Sequence, residues 1–169
     1  ISDSKFQIPD SRFQISDSRF QISDFRFQNL FRETGFQISE IMIERFEDID
    51  IWQDARELCS IIKGLCDNEK FAKDYILRNQ ILSSSGSIMD NIAEGFERGG
   101  NKELIQFLFI SKGSCGETRS QIYRAFDFGY ITKQECDRVV EMLLSISKKL
   151  SGFISYLKKS DYKGIKYKP

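Results

Sequence analysis

The sequence predicts an all-α protein, an antiparallel up-down-up-down four-helix bundle with a low-complexity N-terminal extension. Three observations predict it. Between residues 46 and 158 apolar residues recur at steps of three and four, the period of a helix with one buried face. Short connections carrying Gly, Asn and Thr separate four such segments. Neither of the two prolines, Pro9 and Pro169, falls inside them, so no helix is forced to kink.

The first helix is expected from about Ile49 to Cys66, with Asp48 as its N-cap. Ile51, Ala55, Leu58, Ile62 and Leu65 form one seam, widened by Trp52, Cys59 and Cys66. The second is expected as one continuous helix from Phe71 to Arg98, buried through Leu77, Ile81, Ile88, Ile92 and Phe96 and stopped by Gly99-Gly100. Asn101 is expected to cap the third, whose seam runs Leu104, Leu108, Ser111, Cys115, Thr118, Ile122 and Ala125 and which Gly129 ends. Thr132-Lys133-Gln134-Glu135 is a capping box that opens the fourth, with Cys136, Val140, Leu143, Ser147, Leu150, Ile154 and Leu157 inward.

The second and third helices make a hairpin turning near residue 100, so partners across it sum to about 200. Ser83 to Ser87 then lies opposite Gly113 to Gly116. Mid-helix Gly costs about 1 kcal/mol relative to Ala. The expected compensation is close backbone approach at these glycines, and a Gly86→Leu change should push the hairpin apart. The third helix also has more apolar surface than one seam uses. Leu104, Ile105, Phe107, Leu108, Phe109 and Ile110 nearly encircle it, which predicts a homo-oligomer with Ile105, Phe107, Phe109 and Ile110 at the interface.

Composition removes several function classes. The chain has 169 residues, enough for one ordinary domain. It contains no His, which excludes Ser-His-Asp and Cys-His catalysis and His-ligated metals. Net charge is zero, and no apolar run approaches the ~20 residues that span a bilayer. No Gly-rich phosphate loop occurs. Cys59, Cys66, Cys115 and Cys136 form no Cys-x-x-Cys pair and read as small buried thiols of a cytoplasmic protein. The expectation is therefore no cofactor, no metal, no membrane contact, no small-molecule substrate and no enzyme activity.

Residues 1–41 differ from the rest. The unit Phe-Gln-Ile-x-Asp-x-Arg recurs every seven residues from Phe6, Phe13 and Phe20. Its Phe and Ile sit two and then five apart, which refuses a coiled coil. The chain begins with Ile, and the first Met is Met42. The expected division is a low-complexity repeat tail over 1–41, disordered or non-native, read as translated repeat sequence upstream of the start and without a core of its own; the four-helix bundle over 42–158; and a basic tail over 159–169.

Two groups of polar residues stand out. Ser87, Asn91 and Glu94 share a side of the second helix, and Glu117 stands on the third. Glu94 or Glu117 could be a general base, but no nucleophile accompanies either, and a hydrogen-bonded network is the favoured reading. From Lys148 onward come Lys148, Lys149, Lys158, Lys159, Lys163, Lys166 and Lys168 against one acid, Asp161, with Tyr156, Tyr162 and Tyr167 interleaved. Such a stretch can follow a phosphate backbone while aromatics stack on bases.

Ser87-Ile88-Met89-Asp90-Asn91-Ile92-Ala93-Glu94-Gly95-Phe96-Glu97-Arg98 resembles the Ser-Ile-x-x-Asn-Ile-Ala-Glu-Gly-x-x-Arg signature of the four-helix bundle proteins encoded in intervening sequences of bacterial 23S ribosomal RNA genes. Phe46 to Ile49, Trp52-Gln53 and Ala55 to Leu58 are similar to that family's opening. Lys102-Glu103, Phe107-Leu108, Lys112 to Ser114, Glu117, Gln121 and Gly129 to Ile131 are similar to its second half. The resemblance implies a homopentamer, and a likeness to the accessory protein of diversity-generating retroelements implies contact with a reverse transcriptase and nucleic acid. It implies no catalytic residue. Ser87, Asn91, Glu94, Gly95, Arg98, Ser114 and Glu117 carry over as motif positions of unassigned role. Two departures are Leu82-Ser83, where many relatives carry a basic pair, and Ser84-Ser85, where they carry Ala-Ala. With the five basic and six acidic residues of 1–41 set aside, 20 basic and 19 acidic residues remain, far from a strongly basic protein.

The sequence therefore predicts a non-enzymatic oligomeric scaffold with RNA or a nucleic-acid enzyme as partner. A protein-binding adaptor that touches no nucleic acid is the alternative.

Overall fold

The computed structural model describes residues 43–159, and the repeat tail and the last ten residues, including Lys163, Lys166 and Lys168, lie outside them. A 3-10 turn at Phe46–Asp48 leads into α1 (Asp50–Cys66). A short helix α2 (Glu69–Lys73) precedes α3 (Tyr75–Glu97), α4 (Asn101–Asp127) and α5 (Lys133–Lys159). No strand occurs among the described residues. The four long helices pack as an antiparallel bundle in which α3 and α4 make the most extensive contact. Cross-helix bonds give the direction of each neighbour: Cys59 to the Ser85 carbonyl, Ser87 to Ser114, Lys112 to Ser151, and Lys149 to Asp54.

The periodic seams are the core, except that in α5 Val139 and Ile146 are enclosed where Val140 and Ser147, which are half-buried, were expected. Ala55, Leu58, Ile62, Ile81, Ile88, Ile92, Leu104, Leu108, Ile122, Leu143 and Leu150 are fully enclosed. Burying a Leu or Ile side chain contributes roughly 1.5–3 kcal/mol, so these rows hold the bundle together. Gly99 and Gly129 stand just past the ends of α3 and α4 with φ of 66° and 72°, the left-handed conformation that glycine adopts without strain. At α5 the predicted capping box is present. The Thr132 amide donates to Glu135 Oε2 at 2.7 Å, and the Glu135 amide donates back to Thr132 Oγ1 at 3.2 Å.

Four local expectations are corrected. Asp48 does not cap α1: it ends the 3-10 turn, and Ile49 occupies the cap position with no side-chain bond. The second helix is not continuous from Phe71. It breaks at Asp74, whose Oδ1 accepts the Leu77 amide at 3.0 Å, while Asn68 Oδ1 caps α2 through the Lys70 amide. Short polar side chains prefer this role to a helix interior, so the chain spends two caps here instead of one long helix. Asn101 does not cap α4 either. Gly100 holds the cap position, and Asn101 Nδ2 donates to the Leu157 carbonyl at 3.1 Å, tying the start of α4 to the end of α5.

The fourth correction concerns the hairpin. Its register is as expected, with Ser84 beside Thr118, Ser87 beside Ser114 and Ile88 beside Ser111. The glycines are not the point of closest approach. A Cβ at Gly86 would meet only Asp90 Oδ2 at 3.8 Å, and at Gly113 or Gly116 nothing within 4 Å. The tight spot is Gly95, where a Cβ would stand 2.7 Å from Phe107 Cβ and 3.3 Å from Leu104 Cα. The serines meet instead through their hydroxyls.

Candidate functional site

The motif residues gather along the α3–α4 hairpin in three clusters. In the first, Ser87 Oγ and Ser114 Oγ are 3.0 Å apart, and Asn91 Nδ2 donates to the Ser87 carbonyl (2.7 Å) and hydroxyl (2.9 Å). Asn91 and Ser87 meet because residues four apart stack on one helix side. In the second, Glu94 and Arg98 form an ion pair, and the Arg98 guanidinium lies 4.6 Å from the centroid of the Phe107 ring. Gly95, between them, lets Phe107 reach that position.

The third cluster was less legible. Thr118 Oγ1 donates to Ser84 Oγ at 2.8 Å, Ser84 Oγ to Gln121 Oε1 at 2.5 Å, and Gln121 Nε2 to Glu117 Oε1 at 3.1 Å. This directional chain runs from a buried hydroxyl to an exposed carboxylate. Ser84 and Thr118 belong to the small-residue run and the apolar seam, where periodicity marks position but not bonding. Their spacing to Gln121 across a hairpin summing to about 200 was the available signal.

Glu94 is committed to Arg98 and Glu117 to Gln121. The surface depression lined by Glu47, Trp52, Gln53, Arg56, Glu57 and Ser60 contains none of the motif residues. Among the described residues no cluster of three or more Cys, Asp or Glu could hold a metal ion, and no helix is long and apolar enough to cross a membrane. All four cysteines are free. Burial pushes the Cys66 thiol up to about 11 and Cys115 up to about 12, which keeps both protonated at neutral pH.

The apolar residues of α4 divide between two flanks. Phe107 and Ile110 lie toward α3, as the contacts of Phe107 with Gly95 and Arg98 show, and Ser114 hydrogen-bonds the Ile110 carbonyl from the next turn. Ile105 and Phe109 lie toward α5, where Lys158 Nζ is 4.9 Å from the Phe109 ring centroid. Phe109 is 48% exposed and Ile110 45%, while Ile105 and Phe107 are half-buried. The lysines divide as well. Lys149 pairs with Asp54 of α1, whereas Lys148, Lys158 and Lys159 are exposed without an ion-pair partner among the described residues.

Comparison with known proteins gives a consistent family. The model of the 23S rRNA-intervening sequence protein family matches residues 47–152. No curated protein matches the chain. A solved structure from Bacteroides thetaiotaomicron, a protein of unknown function from the S23 ribosomal protein family, is similar in fold. It superposes with a TM-score of 0.57 at 24% identity, covering 62% of this chain and 97% of that one. The matched span begins in the 3-10 turn and ends within α5, taking in all four long helices and every motif residue; the chain belongs to the 23S rRNA-intervening sequence protein family.

Proposed function

We propose that the protein is a non-enzymatic scaffold that assembles as a homo-oligomer, a pentamer by family likeness, and engages nucleic acid or a nucleic-acid enzyme. The observation that carries the assembly is Ile110, a large aliphatic side chain 45% exposed in the middle of a buried helix hairpin. Within one turn of it on α4 stand the small residues Gly113 and Ser114, with Ser87 of α3 against Ser114, which let another helix come close. A neighbouring copy that covers Ile110 removes its apolar surface from water, worth about 25 cal/mol per Å². Nucleic acid as the client is supported by α5, which carries no Asp or Glu from Met142 to Lys159.

Light scattering of the full chain tests the assembly. A multimer that dissociates on Ile110→Glu, with helix content unchanged, supports the reading. A monomeric wild-type chain overturns it. Filter binding of RNA at low salt tests the client, and absence of binding would favour a protein adaptor.

A further inference from the structure

We propose that the groove between α4 and α5 is a track for single-stranded nucleic acid, in which Lys112, Arg119, Lys148 and Lys158 contact phosphates and the Phe109 ring stacks on a base. This deepens the nucleic-acid part of the proposed function and rests on it.

The groove is assembled from two helices. Lys112 Nζ bonds Ser151 Oγ across it at 2.6 Å, and Lys158 Nζ reaches the Phe109 ring at 4.9 Å. Arg119 lies seven residues after Lys112, two turns along the same side of α4. Lys148 lies three residues before Ser151, on the same side of α5. None of these four cations has an ion-pair partner among the described residues, whereas Lys149, next along α5, pairs with Asp54 of α1.

Acids are absent from the α5 wall of this groove beyond Glu141, which stands two turns before Lys148 on the same side. The three acids of α5, Glu135, Asp137 and Glu141, lie in its first nine residues. From Leu104 to Phe126, α4 carries one acid, Glu117, and its bond to Gln121 places it on the opposite flank, toward α3. A chain of net charge zero therefore carries uncompensated positive charge along the stretch of groove that holds Lys112, Lys148 and Lys158. That complementarity selects a polyanion.

The aromatic selects which polyanion. Phe109 is 48% exposed beside the cations, and a ring at the surface gains most from a flat, unpaired base. In a duplex the base faces are already stacked and unavailable. Ten residues of helix, the interval from Phe109 to Arg119 or from Lys148 to Lys158, extend about 15 Å, enough for a short run of nucleotides. Phe109 thus belongs to this track, and Ile110, on the other flank, to contact between copies.

The test is fluorescence anisotropy of the full chain with a labelled oligouridine of about twenty nucleotides, titrated at increasing KCl, beside a duplex of equal length. Four phosphate contacts give a log–log slope of about −3. Lys148→Gln should reduce that slope by about 0.7. Phe109→Ala should weaken binding about tenfold with the slope unchanged. The duplex should bind more weakly, and excess oligoglutamate should not compete. Light scattering on the same Phe109→Ala sample should show the wild-type assembly. Equal affinity for duplex, displacement by oligoglutamate, an unaltered affinity on Phe109→Ala, or dissociation of the assembly by that change each overturns the track. If oligouridine binds but responds only to changes at Lys163, Lys166 and Lys168, the track fails and the nucleic-acid reading stands. If no nucleic acid binds at low salt, both fail.

Discussion

Gly95 and Phe107 pack so closely that a methyl group at residue 95 would come within 2.7 Å of Phe107 Cβ, inside van der Waals contact. The same methyl would press on Leu104 Cα at 3.3 Å, so backbone as well as side chain would have to move. Gly95→Ala should therefore destabilise the bundle by about 1–3 kcal/mol, despite the better helix propensity of Ala. Gly86→Ala is the control. With only Asp90 Oδ2 nearby at 3.8 Å, it should be neutral or stabilising by up to about 1 kcal/mol. Urea unfolding measures both, and a stabilising Gly95→Ala would refute the close approach.

The donor chain from Thr118 through Ser84 and Gln121 to Glu117 predicts non-additivity. Thr118→Val keeps the shape but removes the donor to Ser84 Oγ and should cost about 1–2 kcal/mol. Ser84→Ala removes the donor to Gln121 and one of the two acceptors of Thr118, which keeps the Ser114 carbonyl. Groups sharing one network couple, so the double variant should lose less than the two singles combined. Equal values would mean that the hydroxyls act separately.

What could be read from the sequence, and what could not, follows the distance between interacting residues. The Thr132–Glu135 capping box spans three positions and was legible because both partners sit in one turn. The hairpin register was legible because a short turn between antiparallel helices fixes every later pairing. Asn101 was misread because its partner, the Leu157 carbonyl, is 56 residues away. Asp74 was misread because apolar periodicity continues across the break between α2 and α3, and a cap inside a periodic run carries no separate signal. The close approach falls at Gly95 and not at Gly86 for a rotational reason. Gly95 lies eleven residues after Ser84, three turns along the face that meets α4, whereas Gly86 lies two residues after Ser84 and is turned away. Among the motif residues, Ser87 with Asn91 and Glu94 with Arg98 were visible as four-residue spacings, while the partnership of Ser84 with Gln121 needed the folded hairpin.

Free thiols give a third prediction. Burial raises the thiol of Cys59, as well as those of Cys66 and Cys115, and Cys59 alone among the four cysteines is half-buried rather than buried. At pH 8 a thiol reagent should modify Cys59 first and slowly, and the other three only as fast as the bundle opens. Adding denaturant should release all four together. Rapid native labelling of Cys115 would contradict its enclosure.

The α5 cap predicts an acid-dependent loss. Hydrogen bonds from the Thr132 amide and then the Thr132 hydroxyl hold the Glu135 carboxyl below its ordinary value of 4.5. A depressed folded-state value means the carboxylate stabilises the fold fully above about pH 4.5 and that this contribution fades as pH falls through the folded value. Thr132→Ala should cost about 1 kcal/mol at neutral pH. Part of the cost should disappear on acidification, since the bond from the Thr132 hydroxyl to the Glu135 carboxylate is charge-assisted only while Glu135 is ionised, whereas the Glu135 amide bond to Thr132 Oγ1 does not titrate. Thermal melts of the two proteins from pH 7 to pH 3 would show the gap narrowing.

At the opposite end of the pH scale, Tyr130 links the turn after α4 to the start of α3. Its hydroxyl donates to Asp74 Oδ2 at 3.1 Å, and its ring stacks on Phe71 with centroids 5.2 Å apart. Burial first, and then the Asp74 carboxylate, raise the phenol above its ordinary value of 10. The neutral form is thus favoured in the fold. Its stabilisation is complete below pH 10 and declines above it, as the unfolded chain ionises first. Tyr130→Phe should lower the melting temperature at pH 8, keep the stack on Phe71, and flatten the fall in melting temperature above pH 10. Asp74→Asn separates the two roles of that side chain. The single amide oxygen of Asn can still cap the Leu77 amide, the atom facing the phenol becomes the Nδ2 donor, and the negative charge opposing phenolate is gone, so the decline above pH 10 should be shallower. If Asp74→Asn and the wild-type chain decline together, the carboxylate has no part in holding Tyr130 neutral.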